Sequence, residues 1–109
     1  MINCIIFKEQ GGQIAGIQIE GHSPKAYGNL GENLLCAGVS TLTQSVHSYL
    51  VVQRALASET KKDGFLEFLL SEDRKGKFQT LLEMTELALH SLQKNHPDAI
   101  SIQNEIIKG

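Results

Sequence analysis

The sequence is poor in the residues and runs that mark several classes of protein. Its 109 residues include no tryptophan, two prolines and two cysteines, and 41% of them are hydrophobic. Few prolines beside that hydrophobic fraction argue against disorder. No apolar run approaches the roughly 18 residues of a membrane-spanning helix, and the first residues, MINCIIFKEQ, lack the basic start and apolar stretch of a signal peptide. We therefore expect one domain, residues 1–109, in the cytoplasm and away from membranes.

Charge and cysteine content exclude further classes. Twelve acidic and ten basic residues give a net charge of −2, so there is no global positive field to attract nucleic acid. Cys4 and Cys36 form no CxxC pair, so we expect no metal site, no disulfide framework and no cofactor. Cys4 lies in a β-branched run, which indicates a packing role. Each cysteine is therefore considered alone, as core or as a reactive thiol.

Hydrophobic periodicity predicts an α+β fold with the order ββαββαβ. Alternation and β-branched runs indicate strands, and apolar residues at three- and four-residue steps indicate two helices. The predicted strands are 2–8, 14–20, 58–62, 65–70 and one from about residue 100; the predicted helices are 33–56, with an apolar stripe that includes Tyr49, and 75–94. A long loop, 21–33, separates the first hairpin from the first helix. We expect both helices to pack on one mixed, mostly antiparallel sheet.

His22 and Cys36 flank this loop. A cysteine near the start of a helix meets unpaired backbone N–H groups, which favour the thiolate, and a nearby histidine can share its proton. The backbone N–H groups of Cys36 and Ala37 could accept a developing oxyanion. Gly38 would leave the surface beside the sulfur bare. The alternative reading makes Cys36 a small buried hydrophobe and Gly38 a helix–sheet contact.

Two blocks in this region resemble the ribosomal-processing cysteine proteases, the Prp family. They are Gly21-His22 and the run Gly31-Glu32-Asn33-Leu34-Leu35-Cys36-Ala37-Gly38-Val39-Ser40. The resemblance implies a cysteine endopeptidase that removes the short N-terminal extension of protein twenty-seven of the large ribosomal subunit during ribosome maturation. It also implies a Cys36/His22 dyad and a homodimer. The loop between them would close over the substrate through Gly21, Pro24, Tyr27, Gly28, Leu30 and Gly31, and Tyr27 and Leu30 could line the pocket for the residue before the cut.

One departure from the family pattern leaves a choice open. The family has an aspartate three residues before its cysteine, where this chain has Asn33. Asn33 could orient His22, as in Cys-His-Asn proteases, or it could cap a helix that starts there. The capping role is favoured. Ser40, one helical turn after Cys36, is a further candidate for a hydrogen bond near the site, although helical serines often bond back to a carbonyl.

Two other functions are compatible with the sequence. The chain could be a non-catalytic ribosome-assembly factor that binds a basic ribosomal protein, or Cys36 could be a redox thiol, although no resolving cysteine lies near it in the sequence. The tripeptide Gly11-Gly12-Gln13 matches the catalytic tripeptide of release factors, but it falls where a hairpin needs a turn. His47, His90 and His96 are interpreted as surface or partly buried polar residues rather than ligands.

Overall fold

A computed structural model describes residues 1–21 and 30–107, with side chains in the second range from residue 35 onward. Its elements follow the predicted order ββαββαβ. The strands are β1 (Ile2–Lys8), β2 (Ile14–Glu20), β3 (Leu56–Lys62), β4 (Phe65–Leu70) and β5 (Ile100–Ile106); the helices are α1 (Leu30–Val52) and α2 (Gln79–Asn95), the latter preceded by a 3₁₀ turn, Lys75–Phe78.

The five strands form one mixed sheet in the order β3-β4-β2-β1-β5. β5 is parallel to β1, and the other neighbouring pairs are antiparallel. β2 therefore lies at the centre, where Ile17 pairs with Ile6 of β1 and with Phe68 of β4. The predicted fold class, two helices on a mostly antiparallel sheet, is confirmed.

The core lies between the helices and one face of the sheet. β1 buries every second residue (Ile2, Cys4 and Ile6), as the alternating side chains of a strand require. The helices contribute further buried side chains, among them Leu50 of α1 and Leu89 of α2, both fully buried. Burial of a side chain of this size stabilises the fold by roughly 1.5–3 kcal/mol. Cys4 belongs to this cluster, which confirms its packing role.

The β1–β2 connection is a glycine turn. The Gly12 N–H donates to the Glu9 carbonyl, and the Glu9 N–H donates to the Gln13 carbonyl. Gly12 has a φ of 93°, a left-handed conformation that glycine adopts without strain. The tripeptide Gly11-Gly12-Gln13 thus serves the hairpin, as its position in the sequence indicated.

The first helix departs from the prediction at both ends and along one side. It begins at Leu30 rather than near Asn33, and it ends at Val52 rather than near residue 56, where β3 has already begun. Asn33 is therefore inside the helix and is not its N-cap, so the favoured capping role is wrong. Tyr49, expected in the apolar stripe, is 49% exposed and meets the edge of the Phe78 ring.

A left-handed residue ends the first helix. After α1, Arg54 takes a left-handed conformation with a φ of 54°. The Arg54 N–H donates to the Val51 carbonyl and the Ala55 N–H to the Leu50 carbonyl, which is the Schellman arrangement at a helix C-terminus.

Within residues 1–21 and 30–107, neither helix is long and apolar enough to cross a membrane.

Candidate active site

A cavity of about 600 Å³ opens at one end of the sheet. It lies between the N-terminal half of α1 and the β3–β4 turn, residues 61–66, with the start of β1 and the end of β2 behind it. Its apolar lining includes Ile2, Ile19 and Leu66, and two lysines of β3, Lys61 and Lys62, also line it. This volume is in the range of sites that hold small molecules.

Cys36 lines this cavity. Its side chain is half-buried on α1, and Ser40, Thr43 and Gln44 line the same cavity one and two turns further along the helix. Residues four and seven apart recur on one face of a helix, which explains why these four share a wall. Cys36 is therefore not fully buried, although its side chain also packs against the hydrophobic core.

Cys4 has the opposite environment. It is 0% exposed on β1, and burial raises the pKa of its thiol from 9.0 to about 12. A buried thiol resists ionisation because the thiolate loses its hydration in an apolar interior. Of the two cysteines, Cys36 alone borders a space that a substrate could enter.

A backbone hydrogen bond holds the end of β2 beside the same cavity. The Gly21 N–H donates to the Gly64 carbonyl in the β3–β4 turn over 2.9 Å. Gly21 has a φ of 102°, and a Cβ there would collide with the Met1 carbonyl oxygen. Only glycine fits this position, so the backbone leaves β2 in a fixed place beside the cavity wall.

The remaining candidates of the predicted substrate loop fall into two groups. His22, Pro24, Tyr27 and Gly28 lie outside the described residues. Leu30, Gly31 and Asn33 form the first turn of α1, where only the backbone is described.

The start of α1 also changes the backbone donors available near Cys36. A helix leaves only its first few N–H groups without an intrahelical partner. In a helix that begins at Leu30, these belong to the turn before Cys36, so the amides of Cys36 and Ala37 lie in the hydrogen-bonded part of the helix. The sequence-based reason for expecting them to bind an oxyanion is therefore wrong.

Neither reading of Gly38 fits its position. It is exposed, and a Cβ added there would meet no described residue within 4 Å, so it makes no contact with the sheet that the structure describes. It lies about 200° around the helix axis from Cys36, away from the cavity. Ala37 is likewise exposed.

Polar side chains in the cavity include several that the sequence reading did not select. Gln44 Nε2 donates to Ser40 Oγ over 2.9 Å, while Thr43 Oγ1 donates to the Val39 carbonyl over 2.8 Å. The i,i+4 spacing from Cys36 through Ser40 to Gln44 was a usable signal for Gln44. Lys61 and Phe65 also line the cavity. No pattern in the sequence marked these two residues, because only the fold brings the β3–β4 turn beside α1.

The other histidines in the described ranges lie away from the cavity. His47 is 6% exposed, more buried than expected, with Nε2 3.2 Å from Glu59 Oε1 and its ring tilted against Phe68. His90 is on the surface, where it lies 3.6 Å from Glu86. Across the described part of the chain, no group of three or more His, Cys, Asp and Glu side chains is arranged to hold a metal ion.

In this α+β domain a thiol lies on the wall of a cavity, an arrangement that points to the class of thiol-dependent enzymes. Comparison with protein families identifies it further: residues 1–101 match the family described as cysteine protease Prp, and the chain belongs to this family. It is accordingly a cysteine-type peptidase. No curated protein matches the sequence.

Solved structures share the fold at low sequence identity. The chain is 16% identical to the essential ribosomal processing protease Prp from S. aureus in complex with a substrate peptide, with a TM-score of 0.80 over 96% of this chain and 100% of that one. The same protease with a covalently linked product peptide gives 17% identity, a TM-score of 0.80 and the same coverage. SMU.848 from Streptococcus mutans is 24% identical, with a TM-score of 0.77 over 98% of this chain and 96% of that one.

Proposed function

We propose that this peptidase removes the short N-terminal extension of protein twenty-seven of the large ribosomal subunit, with Cys36 as nucleophile and His22 as its acid–base partner. The observation that carries the proposal is the place of Cys36 on the wall of a 600 Å³ cavity. The anchored Gly21 at the same cavity supports the role of His22, because His22 is the next residue in the chain. The S. aureus relative is a ribosomal processing protease that binds a substrate peptide, which supports the substrate class.

The proposed reaction follows the chemistry of a thiol nucleophile and an imidazole. His22 takes the proton of Cys36, and the thiolate attacks the carbonyl carbon of the scissile bond to form a tetrahedral oxyanion. The C–N bond breaks as His22 returns the proton to the departing amine. Water, deprotonated by His22, then attacks the thioester, which releases the new carboxylate and restores the thiol of Cys36.

The cavity wall is suited to an apolar substrate side chain near the cut. Ile19, Val39 and Leu66 are buried at its edge, and we expect them to contact the residue that precedes the scissile bond. Tyr27 and Leu30 stay candidates for the same pocket. An apolar pocket of this kind gains affinity from the area that it removes from water.

The proposal also covers the cellular compartment and the oligomeric state of the peptidase. Ribosomal proteins assemble into particles in the bacterial cytoplasm, so we expect the peptidase to act there, on the N-terminal segment of its substrate and without direct contact to nucleic acid. We also expect a homodimer. Native mass spectrometry of the purified chain tests the subunit count.

The deciding experiment is cleavage of a peptide that spans the extension boundary, followed by mass spectrometry. The wild-type chain is expected to make one cut, and Cys36→Ala and His22→Ala are expected to lose it. Cys4→Ala is the matched control for the first variant, because it removes a thiol from the core rather than from the cavity. His90→Ala is the control for the second, since His90 is a surface histidine.

Two results would overturn the proposal. Cleavage by Cys36→Ala at the wild-type rate would remove Cys36 as the nucleophile. A folded, reduced wild-type chain that binds the peptide without cutting it would exclude this substrate and favour a non-catalytic assembly factor.

A further inference from the structure

Acyl transfer to a thiolate places a negative charge on the former carbonyl oxygen, and a peptidase needs a donor aimed at that oxygen. The amides of Cys36 and Ala37 are in the hydrogen-bonded part of α1, because the helix starts at Leu30. Among the residues whose side chains the structure describes, we therefore looked for a donor that borders the cavity near Cys36.

Ser40 meets the geometric requirement. It lies one turn after Cys36, about 40° around the helix axis, and both residues line the cavity. Cβ atoms four residues apart on a helix are about 5–6 Å from each other. This separation leaves room for a tetrahedral carbon on Sγ whose oxygen is within hydrogen-bond distance of the Ser40 hydroxyl.

The contact between Ser40 and Gln44, two exposed side chains, restricts the direction of that hydroxyl. A serine hydroxyl has one hydrogen to donate, and its oxygen can also accept. Gln44 Nε2 donates to Ser40 Oγ, so the oxygen acts as the acceptor in this pair and the hydroxyl hydrogen is directed away from Gln44. Thr43, the neighbouring hydroxyl, instead donates to the Val39 carbonyl of its own helix.

We propose that the Ser40 hydroxyl donates a hydrogen bond to the oxyanion formed at Cys36, and that Gln44 is the positioning residue that orients it. The inference rests on the proposed role of Cys36 as nucleophile, but it does not depend on the identity of the peptide substrate. Ser40 would touch the reacting atoms, whereas Gln44 acts through Ser40.

Two reactions of the same thiol separate this role from a general effect on Cys36. Iodoacetamide alkylates Sγ by displacement of iodide, and no oxyanion forms. With p-nitrophenyl acetate, Sγ attacks the acetyl carbon through an oxyanion, p-nitrophenolate leaves, and the thioester of Cys36 remains. The ratio of the acylation rate to the alkylation rate therefore reports the oxyanion donor without any peptide.

Ser40→Ala is expected to lower this ratio by at least about tenfold, towards the 10²–10³-fold effect of one oxyanion donor. Its alkylation rate should stay that of the wild type. Ser40→Thr, which keeps the hydroxyl, should recover part of the loss. Ser45→Ala is the matched control, because it removes an exposed hydroxyl from the same helix outside the cavity.

Variants of Gln44 test the orienting role. Gln44→Ala should lower the ratio less than Ser40→Ala, and the double variant should match Ser40→Ala alone because the two residues act as one unit. Gln44→Glu should lower it as far as Ser40→Ala. An ionised glutamate can only accept, so the Ser40 hydroxyl would turn towards the carboxylate and away from the oxyanion.

The outcomes separate this inference from the proposed function. An unchanged ratio in Ser40→Ala, or additive losses in the double variant, would overturn the inference even if the wild-type chain cleaves the ribosomal peptide. Loss of acylation in Ser40→Ala with the predicted Gln44 pattern would support it even if that peptide is not cut.

Discussion

In the folded chain, the alkylation rates of the two cysteines should differ by at least three orders of magnitude. Cys36 borders the cavity and is half-buried, whereas Cys4 is 0% exposed on β1, between β2 and β5. The thiolate is the species that reacts with iodoacetamide. We therefore expect Cys36 to be labelled first and Cys4 to stay protected while the sheet is intact.

The size of the difference follows from two effects on Cys4. Its pKa rises from 9.0 to about 12 because the thiol is buried, and at neutral pH this lowers its thiolate population about 10³-fold. In addition, the reagent reaches Cys4 only when β1 separates from two neighbouring strands. Opening of a core strand requires a free energy near that of global unfolding, typically about 5–15 kcal/mol.

Peptide mapping by mass spectrometry after timed exposure to iodoacetamide measures both rates. Unfolding in guanidinium should make the two rates similar, and Cys36→Ala should abolish the fast phase while Cys4→Ala leaves it. Similar labelling rates in the folded chain would refute the reasoning. They would mean either that β1 opens readily or that the thiol of Cys36 is not accessible from the cavity.

Two further predictions concern stability. Below about pH 9 the Cys4 thiol is protonated in both the folded and the unfolded chain. Above this pH the unfolded chain loses the proton first, so the free energy of unfolding should fall by up to about 1.4 kcal/mol per pH unit towards pH 12. Urea unfolding at a series of pH values should show this slope in the wild type and a smaller one in Cys4→Ala. Arg54→Gly should stabilise the chain by about 1 kcal/mol, because Arg54 occupies a left-handed position that glycine adopts freely. Arg54→Ala is its control and should show no such gain, and equal midpoints for the Gly and Ala variants would contradict the backbone explanation.

The fold was largely predictable because its strands carry clear local patterns. Residues 14–20 alternate, and β2 occupies Ile14–Glu20; the Asp63-Gly64 turn separates β3 from β4. Neighbouring strands must bury one face against the helices, so local alternation and global packing favour the same strand boundaries.

The start of α1 was not predictable from the same rules. Glycine disfavours helix interiors, so Gly28 and Gly31 indicated a loop up to Asn33, yet the helix includes Gly31. A cost of roughly 1 kcal/mol for one glycine is easily exceeded by the packing of the following turns. The difference matters chemically, because the unpaired amides of α1 lie one turn earlier than the sequence indicated.

The location of the site follows from the direction of the strands. β2 ends at Glu20, which pairs with Phe65 at the start of β4, so an antiparallel register brings the last residue of β2 and the β3–β4 turn to the same end of the sheet. β1 begins there too, because it is antiparallel to β2. The hydrogen bond from Gly21 to Gly64 closes this arrangement, and the N-terminal half of α1 covers it with Cys36 facing inward. Gly21 follows β2 and Cys36 lies on the next helix. They line one cavity because the strand order and the position of α1 bring both to the same end of the sheet.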